Sequence, residues 1–440
     1  MGETFFLGGF HRNDGKDLSK EKPIAVLFPK GDAVYPMQQH IGLPAKPVVE
    51  VGDRVLVGQR IGEANGVVSA HVLSGVSGTV KAIEERMTVS GNLCEAVVIA
   101  NDGAFETVEG FGTKRDFEAL SKEEIRGYIK DAGIVGLGGI GFPTHVKLTP
   151  KRDEAVEYVI VNGLECEPYL TADERLMTEE GKKLVDGLKI ILRLFENAKG
   201  VIAVGDDKKK AIKLLSESVK DEERITVKAI KAKYPSGAER QVIRLVTGRK
   251  LNASMIPADV GCVVHNVETV LAVYRAVAES IPLIRRVITV TGDCVVNPQN
   301  IQVCFGTSFE ELLEAAGGID GEAELFIAGG PMRGIALEDL TMPLIKTVGA
   351  FTVLGKKEAA GGLISPCIRC GRCMEVCPGK LIPQKLMKYA EAEDKEGFIR
   401  QGGMECCECG SCAYVCPAGR GLTQKFRQLR RSILDERRKR

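Results

Sequence analysis

Eight of the fourteen cysteines in this 440-residue chain fall in two copies of one spacing. Cys367, Cys370, Cys373 and Cys377 precede Pro378; Cys406, Cys409, Cys412 and Cys416 precede Pro417. Each run reads C-x2-C-x2-C-x3-C-P, which wraps a [4Fe–4S] cubane with three thiolates while the fourth reaches the other cluster. The pattern predicts one cluster on Cys367, Cys370, Cys373 and Cys416, and another on Cys406, Cys409, Cys412 and Cys377. Starting from Cys407 would give C-x-C-x2-C, so Cys406 is the expected ligand. A zinc tetrahedron takes two C-x2-C pairs and has no use for a third cysteine so close. Disulfides would ask for an exported chain, and MGETFFLGGFHRND lacks the basic and apolar parts of a signal peptide. The expectation is a conductor of single electrons in a reducing compartment.

Composition narrows the class without choosing a ligand. With 44% apolar and 27% charged residues this is an ordinary globular mix, long enough for about three domains with their own cores. A net charge of +1 sets up no field selecting nucleic acid, acidic ligands or a membrane surface. No apolar run approaches the ~18–20 residues that span a bilayer; the longest, such as 155–163, are strand-sized.

Texture divides the chain. Residues 1–110 read as all-β, with short valine-rich runs punctuated by glycine from Lys46 to Ile83. VEVGDRVLVGQ followed by SGVSGTV resembles a biotinyl- or lipoyl-type barrel-sandwich hammerhead. No lysine lies between Arg60 and Lys81, so a structural or docking role is expected rather than a swinging arm. His71, near the tip, is expected to be an exposed turn residue. Residues 121–280 alternate strand and helix patterns. Ser121 and Glu124 form a capping-box pattern, YVIVNG (158–163) and KGVIAVG (199–205) read as buried strands, and VGCVVHN runs into the helix VETVLAVYRAVAES. This predicts a Rossmann-like α/β layer on a largely parallel sheet. Residues 287–350 look like a β-grasp module of the SLBB type, with a glycine turn in FIAGGPMRG (326–334). A hinge-like linker (354–366), the cluster domain (367–420) and a basic amphipathic helix (421–440) follow. The last is either a solvated tail or a contact for anionic head groups or an acidic partner.

GIVGLGGIGFPTHVKL (133–148) contains Gly136-x-Gly138-x-x-Gly141. A helix pattern precedes it, unlike a dinucleotide fingerprint, and Phe142 after Gly141 excludes a P-loop. Alone it predicts close backbone approach to a phosphate or flat ring, or merely a tight turn. It is not alone. GLGGIGFPTHVK is similar to the flavin loop of the 51-kDa NADH-oxidising subunit of respiratory complex I, which reads G-R-G-G-x-G-F-P-T-x-x-K. VNGLECEPYLTADERLM resembles that family's N-x-D-E-x-E-P segment. YPSGAER resembles its G-E-E turn at Gly237 and Glu239, and HNVETV its N-N-V-E-T at Asn266–Thr269, in the same order. Taken whole, the chain resembles the RnfC family, a component of the Rnf ion-translocating ferredoxin:NAD oxidoreductase complexes. GGFHRNDGKDLSKEKPI (Gly8–Ile24) is similar to that family's opening, with Arg12 for its usual proline.

The resemblance implies a multidomain α/β fold: an N-terminal β barrel-sandwich domain, a Rossmann-like flavoprotein core, an SLBB β-grasp module and a ferredoxin-like dicluster domain. It implies non-covalent FMN and NAD(H) beside two [4Fe–4S] clusters. Gly136, Gly138, Gly139 and Gly141 would bring backbone amides to FMN, with Lys147 at its phosphate and Asn162 and Asn266 on the flavin. Thr269 would sit in a helix first turn that favours a phosphate. Phe142 would stack on nicotinamide or adenine, Glu165 and Glu167 would line the NAD pocket, and Gly237 and Glu239 would support the dinucleotide. Leu137, Leu164, Ala238 and His265 stand where the complex I family has Arg, Asp, Glu and Asn. The implied role is a peripheral subunit at the cytoplasmic face of the cell membrane, exchanging electrons between NAD(H), FMN and the clusters. Membrane and iron–sulfur partner subunits would handle ferredoxin and move Na+ or H+. Hydride transfer asks for no catalytic acid or base, so none is expected. Three alternatives stay open: a cobalamin reductase of the diol-utilisation microcompartment type, a soluble flavoprotein module of a bifurcating enzyme or hydrogenase, and a flavin-less iron–sulfur relay.

Overall fold

A fully parallel four-stranded sheet frames the molecule: β1 (Tyr158–Gly163), β2 (Lys199–Gly205), β3 (Ile225–Ile230) and β4 (Cys262–Asn266), in spatial order β3-β2-β1-β4. This computed structural model describes residues 8–11, 14–359 and 364–439, so Arg12 and residues 360–363 of the expected linker lie outside it. Side chains of β1 alternate between two cores. Val159 and Val161 join the large core with the helix Gly181–Leu192, while Ile160 faces Val242 and Ile243 of the helix Glu239–Thr247. Both faces are covered, so the strand reads as one apolar run rather than alternating with polar residues.

Four helices position the site: α1 (Lys122–Asp131), α2 (Thr144–Lys147), α3 (Ala172–Glu179) and α4 (Val267–Ala278). The capping box at α1 forms as the sequence predicts: Ser121 Oγ accepts the Glu124 N–H at 3.2 Å, and the Glu124 carboxylate accepts the Ser121 N–H at 2.8 Å. Helix α1 then leads into the glycine loop, confirming that no strand precedes it.

Residues 33–101 form the expected barrel sandwich, a four-stranded sheet against a three-stranded one. The expectation for His71 fails. It is buried, its Nδ1 accepts the Ala64 N–H at 3.0 Å, and its carbonyl accepts a hydrogen bond from Lys346 Nζ at 2.7 Å. The small residues that suggest an exposed tip instead permit close contact with the β-grasp module: a Cβ on Gly75 would lie 2.8 Å from Cys304 Cβ.

The β-grasp module has the expected strand pair, Arg285–Thr291 and Gln299–Cys304, and the helix Phe309–Ala315, within a six-stranded sheet. Strand Ala25–Leu27, expected in the N-terminal β domain, joins this sheet instead, parallel to Gln299–Cys304. At the other end, Leu354 and Gly355 finish the strand Ala350–Gly355, and Lys356–Ala359 is helical, so the linker begins later than expected.

The C-terminal helix Leu422–Lys439 packs into the cluster lobe through Leu422, Phe426, Leu429 and Ile433, all buried at helical spacing. Each such side chain contributes roughly 1.5–3 kcal/mol. The apolar face that a membrane-lying helix would insert is therefore engaged within the lobe. Arg427 and Arg430 pair with Glu408. Among the described residues, no helix is long and apolar enough to cross a membrane.

Candidate functional site

Strand order reverses between β1 and β4, and in an open α/β sheet the loops leaving such neighbours diverge over a crevice. Asn162 and Asn266 are register partners at the carboxyl ends of these strands. Two adjoining cavities open there, of ≈ 340 and ≈ 450 Å³, the size of small-molecule sites. Gly138, Asn162, Gly237, Asn266 and Arg333 line both.

The glycine loop is held from beneath. Gly136 N–H donates to the Phe142 carbonyl at 2.8 Å, closing the loop. The Thr269 hydroxyl accepts the Leu137 N–H at 2.9 Å, and Arg286 donates to the Leu137 carbonyl at 3.2 Å. Arg286 is itself paired with Glu268 at 2.9 Å, both buried. Burial pushes the Glu268 carboxyl up, and Arg286 opposes the shift. Gly139 has φ +104° with no atom of the described residues within 4 Å of where a Cβ would stand, leaving bare backbone at the first cavity. Gly136 lines the second. Gly141 departs from expectation and lines neither: at φ +72° it packs with its Cβ position 3.1 Å from His40 Cα, so it is a packing glycine.

Phe142, Lys147, Glu239 and Thr269 line the second cavity. Lys147 Nζ donates to Glu239 Oε1 at 2.6 Å, so two expected cofactor residues hold each other. A partly exposed pair of this kind contributes about 0–1 kcal/mol, little enough to be exchanged for a phosphate. His265, in the same wall, is buried, and among the described residues its Nε2 has no partner. Burial, with Lys147 adding to it, holds His265 neutral well below the usual histidine range.

Glu165 and Glu167 line the first cavity, but both carboxylates are engaged. Glu165 accepts the Asp173 N–H at 2.7 Å at the start of α3, with Lys16 Nζ 3.8 Å away. Glu167 accepts the Met332 and Arg333 N–H groups at 2.8 and 3.1 Å, fixing the glycine turn of the β-grasp module. Asn162 donates to the Gly237 carbonyl at 3.0 Å, and Asn266 to Asp173 at 2.6 Å. Burial, then the neighbouring Glu165 and Glu268, raise the Asp173 carboxyl well above its usual range. Spacing does not single out Asp173, Tyr234 or Arg333, which also line the first cavity. Asp173 and Tyr234 stand in or beside motif stretches, so nearness to a motif is the signal that the sequence carries for them, whereas Arg333 is marked only by the glycine turn of FIAGGPMRG.

In the C-terminal lobe, Cys367, Cys370, Cys373 and Cys416 line one small cavity, and Cys377, Cys406, Cys409 and Cys412 another. These are the two sets predicted from spacing. Among the described residues no three His, Cys, Asp or Glu side chains converge as for a single metal ion; a cubane instead asks for thiols spread around its perimeter. Cys407 lines the second small cavity, and together with Cys409 it also reaches the ≈ 340 Å³ cavity of the crevice. Cys367 and Cys370 are exposed, whereas Cys409 and Cys412 are buried.

Family models match the chain in four successive segments: the RnfC barrel sandwich hybrid domain over residues 4–104, the Nuo51 FMN-binding domain over 129–275, the SLBB domain over 287–336 and the 4Fe-4S dicluster domain over 366–420. The C subunit of the Na(+)-translocating ferredoxin:NAD(+) oxidoreductase complex of Acetobacterium woodii is 40% identical over 437 residues, covering 99% of this chain and 98% of that protein. Its proton-translocating counterpart from Clostridium ljungdahlii is 41% identical over 401 residues, covering 90% of this chain and 87% of that protein. This chain belongs to the RnfC family. A relative from Pseudomonas aeruginosa, the C subunit of an ion-translocating oxidoreductase complex, is 40% identical over 437 residues, which make up 56% of its length.

Within this family fold the crevice fits FMN by its own chemistry. It offers open backbone at Gly139, the orphaned Nε2 of His265 and a lysine held only by a partly exposed pair. The lobe fits cubanes through its two sets of four thiols. The four departures from the complex I pattern are accommodated. Leu137 and Leu164 are buried apolar residues, Ala238 lines both crevice cavities, and His265 lines the second beside Lys147.

Proposed function

We propose that this chain is the NAD(H)-side subunit of an ion-translocating ferredoxin:NAD+ oxidoreductase, peripheral at the cytoplasmic face of the membrane. The observation that carries this reading is a shared wall: Cys407 and Cys409 line the same cavity as Gly138 and Gly139 of the flavin loop. FMN, when bound, takes two electrons together as hydride and returns them singly.

The chain's part is to bind, orient and conduct. Gly136, Gly138 and Gly139 would present backbone to FMN, Lys147 would exchange Glu239 for its phosphate, and Asn162 and Asn266 would hold the ring from the strand ends. Thr269 keeps the loop in place through Leu137. Phe142 offers a stacking face, and Gly237 and Glu239 border the dinucleotide. Glu165 and Glu167, tied to backbone amides, shape the NAD(H) wall rather than move protons. Cys377, Cys406, Cys409 and Cys412 would hold the inner cubane, and Cys367, Cys370, Cys373 and Cys416 the outer one. Ion movement and ferredoxin chemistry fall to the membrane and iron–sulfur subunits; relatives' names divide between Na+ and proton translocation.

Anaerobic titration of the purified chain with NADH tests the reading. A flavin band that bleaches first, followed by the broad cluster absorbance, is the expected result. Cluster absorbance with no flavin band and no response to NADH would make the chain an iron–sulfur relay.

A further inference from the structure

Among the described residues of the opening stretch from Gly8, none lines the crevice or the two thiol cavities, yet Gly8, Gly9 and Phe10 run along the seam between the flavin core and the cluster lobe. Phe10 exchanges backbone hydrogen bonds with Tyr234 in both directions, at 3.0 and 3.1 Å. Its ring centroid lies 5.5 Å from that of Tyr234 and is stacked 4.7 Å from that of Tyr414, at 14°. Tyr234 lines the first cavity and its hydroxyl donates to the Cys409 carbonyl. Tyr414 lies between Cys412 and Cys416, one from each predicted set. The next residue back, Gly9, donates its N–H to the Val376 carbonyl at 2.8 Å. A Cβ on Gly8 would come within 2.7 Å of the Cys377 carbonyl oxygen, so bare backbone is pressed against the lobe there.

We propose that Phe10 is a positioning residue for the electron step, wedged between Tyr234 of the core and Tyr414 of the lobe so that the Cys409 cluster stays seated at the wall of the flavin cavity. The inference rests on the function proposed above. Each NADH oxidised to NAD+ gives up two electrons and leaves one proton; the electrons cross this wall singly to the inner cluster and then to the partner subunits, and the proton goes to solvent. Electron transfer through protein weakens steeply with the gap, so the seat sets the rate. The remaining ties across the seam are weaker at fixing the gap. Arg240 and the Ala253 N–H both reach the partly exposed Glu405 carboxylate, at 2.8 and 2.9 Å, and Gln241 reaches the Pro378 carbonyl only at 3.4 Å. Phe10 touches both sides at once and lies beside the residue that contacts Cys409.

Phe10→Ala and Phe10→Tyr in the full, cluster-loaded chain decide the matter. In rapid mixing with NADH, Phe10→Ala should bleach flavin at the wild-type rate but reduce the clusters at least about tenfold more slowly, within the roughly 100-fold that an ångström of misplacement costs a positioned reaction. Iron content and the dithionite-reduced paramagnetic signal should be unchanged, and Phe10→Tyr should restore the rate. Hydrogen exchange at residues 8–10 and 233–235 should quicken in Phe10→Ala alone. Unchanged cluster reduction and unchanged exchange in Phe10→Ala would overturn the proposal. Where Phe10→Ala loses flavin and iron together, Phe10→Leu, which keeps bulk without the ring stack, is read the same way. Reducing the flavin by light and a sacrificial donor separates the two claims: wild type that ignores NADH sinks the proposed function, while the light-driven step still reads the seam.

Discussion

The cluster lobe and the flavin crevice are built in opposite ways. Each small cavity of the lobe takes three thiols from one of two short runs, 367–377 and 406–416, and the fourth from the other, so spacing within a run brings most of each set together. The crevice draws on a loop at 136–139, two strand ends at 162 and 266, a turn at 237 and Arg333 of the β-grasp module. No local pattern joins these; strand order and interdomain packing do. A site made by spacing should fail one ligand at a time. A site made by packing should fail when a distant support is lost, with every lining residue intact.

The largest effect expected separates the two lobe cavities. Cys409→Ala should remove the inner cubane, about half of the iron, and abolish NADH-driven reduction of the outer one. Cys370→Ala should remove as much iron but leave the inner cluster reducible by NADH. Paramagnetic resonance of NADH- and dithionite-reduced samples distinguishes them. Equal behaviour of the two variants would remove the inner–outer order, and unchanged iron in either would undo the ligand assignment.

The crevice should break from beneath. Glu268 touches neither cavity, yet it is the buried partner of Arg286, which holds the glycine loop at Leu137. Glu268→Ala leaves a buried guanidinium uncompensated, so it should cost about 3–5 kcal/mol in stability. Thermal unfolding and flavin retention check this. Iron in the lobe should persist until the core itself melts, and a loss below about 1 kcal/mol, the scale of a surface pair, would show that the support is not needed.

The same contrast explains how much of the molecule is legible in its sequence. The β1 and β2 strands and the capping box at Ser121 follow from local chemistry and form where expected, and the thiols that spacing groups into two sets line two separate cavities. The motif stretches locate the crevice, because Asn162 and Asn266 mark its two strand ends. Individual roles are harder. Gly141 satisfies the glycine pattern yet packs on His40, because a residue 101 positions earlier folds over it. His71 looks like a turn residue until the β-grasp module covers it. The amphipathic tail reads as free, but its apolar face closes the lobe core. In each case the deciding contact comes from a remote segment, which neither periodicity nor spacing encodes.

Acid should separate the two regions again. All five histidines precede residue 266, so none lies in the lobe. His40 and His71 are both held down to about 4 from 6.5, chiefly by burial, helped by Lys346 at His40 and by Arg60 at His71, with Asp131 opposing at His71. Their accepting nitrogens take the Ala70 and Ala64 N–H groups at 2.8 and 3.0 Å, bonds that protonation would break. Because the folded pKa is below the unfolded one, the unfolded chain binds the extra protons, and stability falls as pH drops from about 6.5 towards 4. Hydrogen exchange across that window should open the 40–71 region before the 383–433 helices. The reverse order would mean that the histidines do not carry the acid response.

The smallest change in stability belongs to Lys147→Ala. Its pair with Glu239 is partly exposed, so thermal stability should move by less than about 1 kcal/mol. FMN retention is the discriminating measurement. A charge-assisted bond to a phosphate is worth about 1.5–3 kcal/mol, or roughly 10- to 100-fold in affinity. Iron content should be unaffected, because the lobe draws on no residue of this cavity. Glu239→Gln sharpens the point: it frees Lys147 rather than removing it, so FMN should bind as well or better while the KM for NADH rises. If both variants lose FMN equally, the pair acts as a structural brace of the crevice, and the phosphate must be held by the backbone of the glycine loop and the α4 terminus instead.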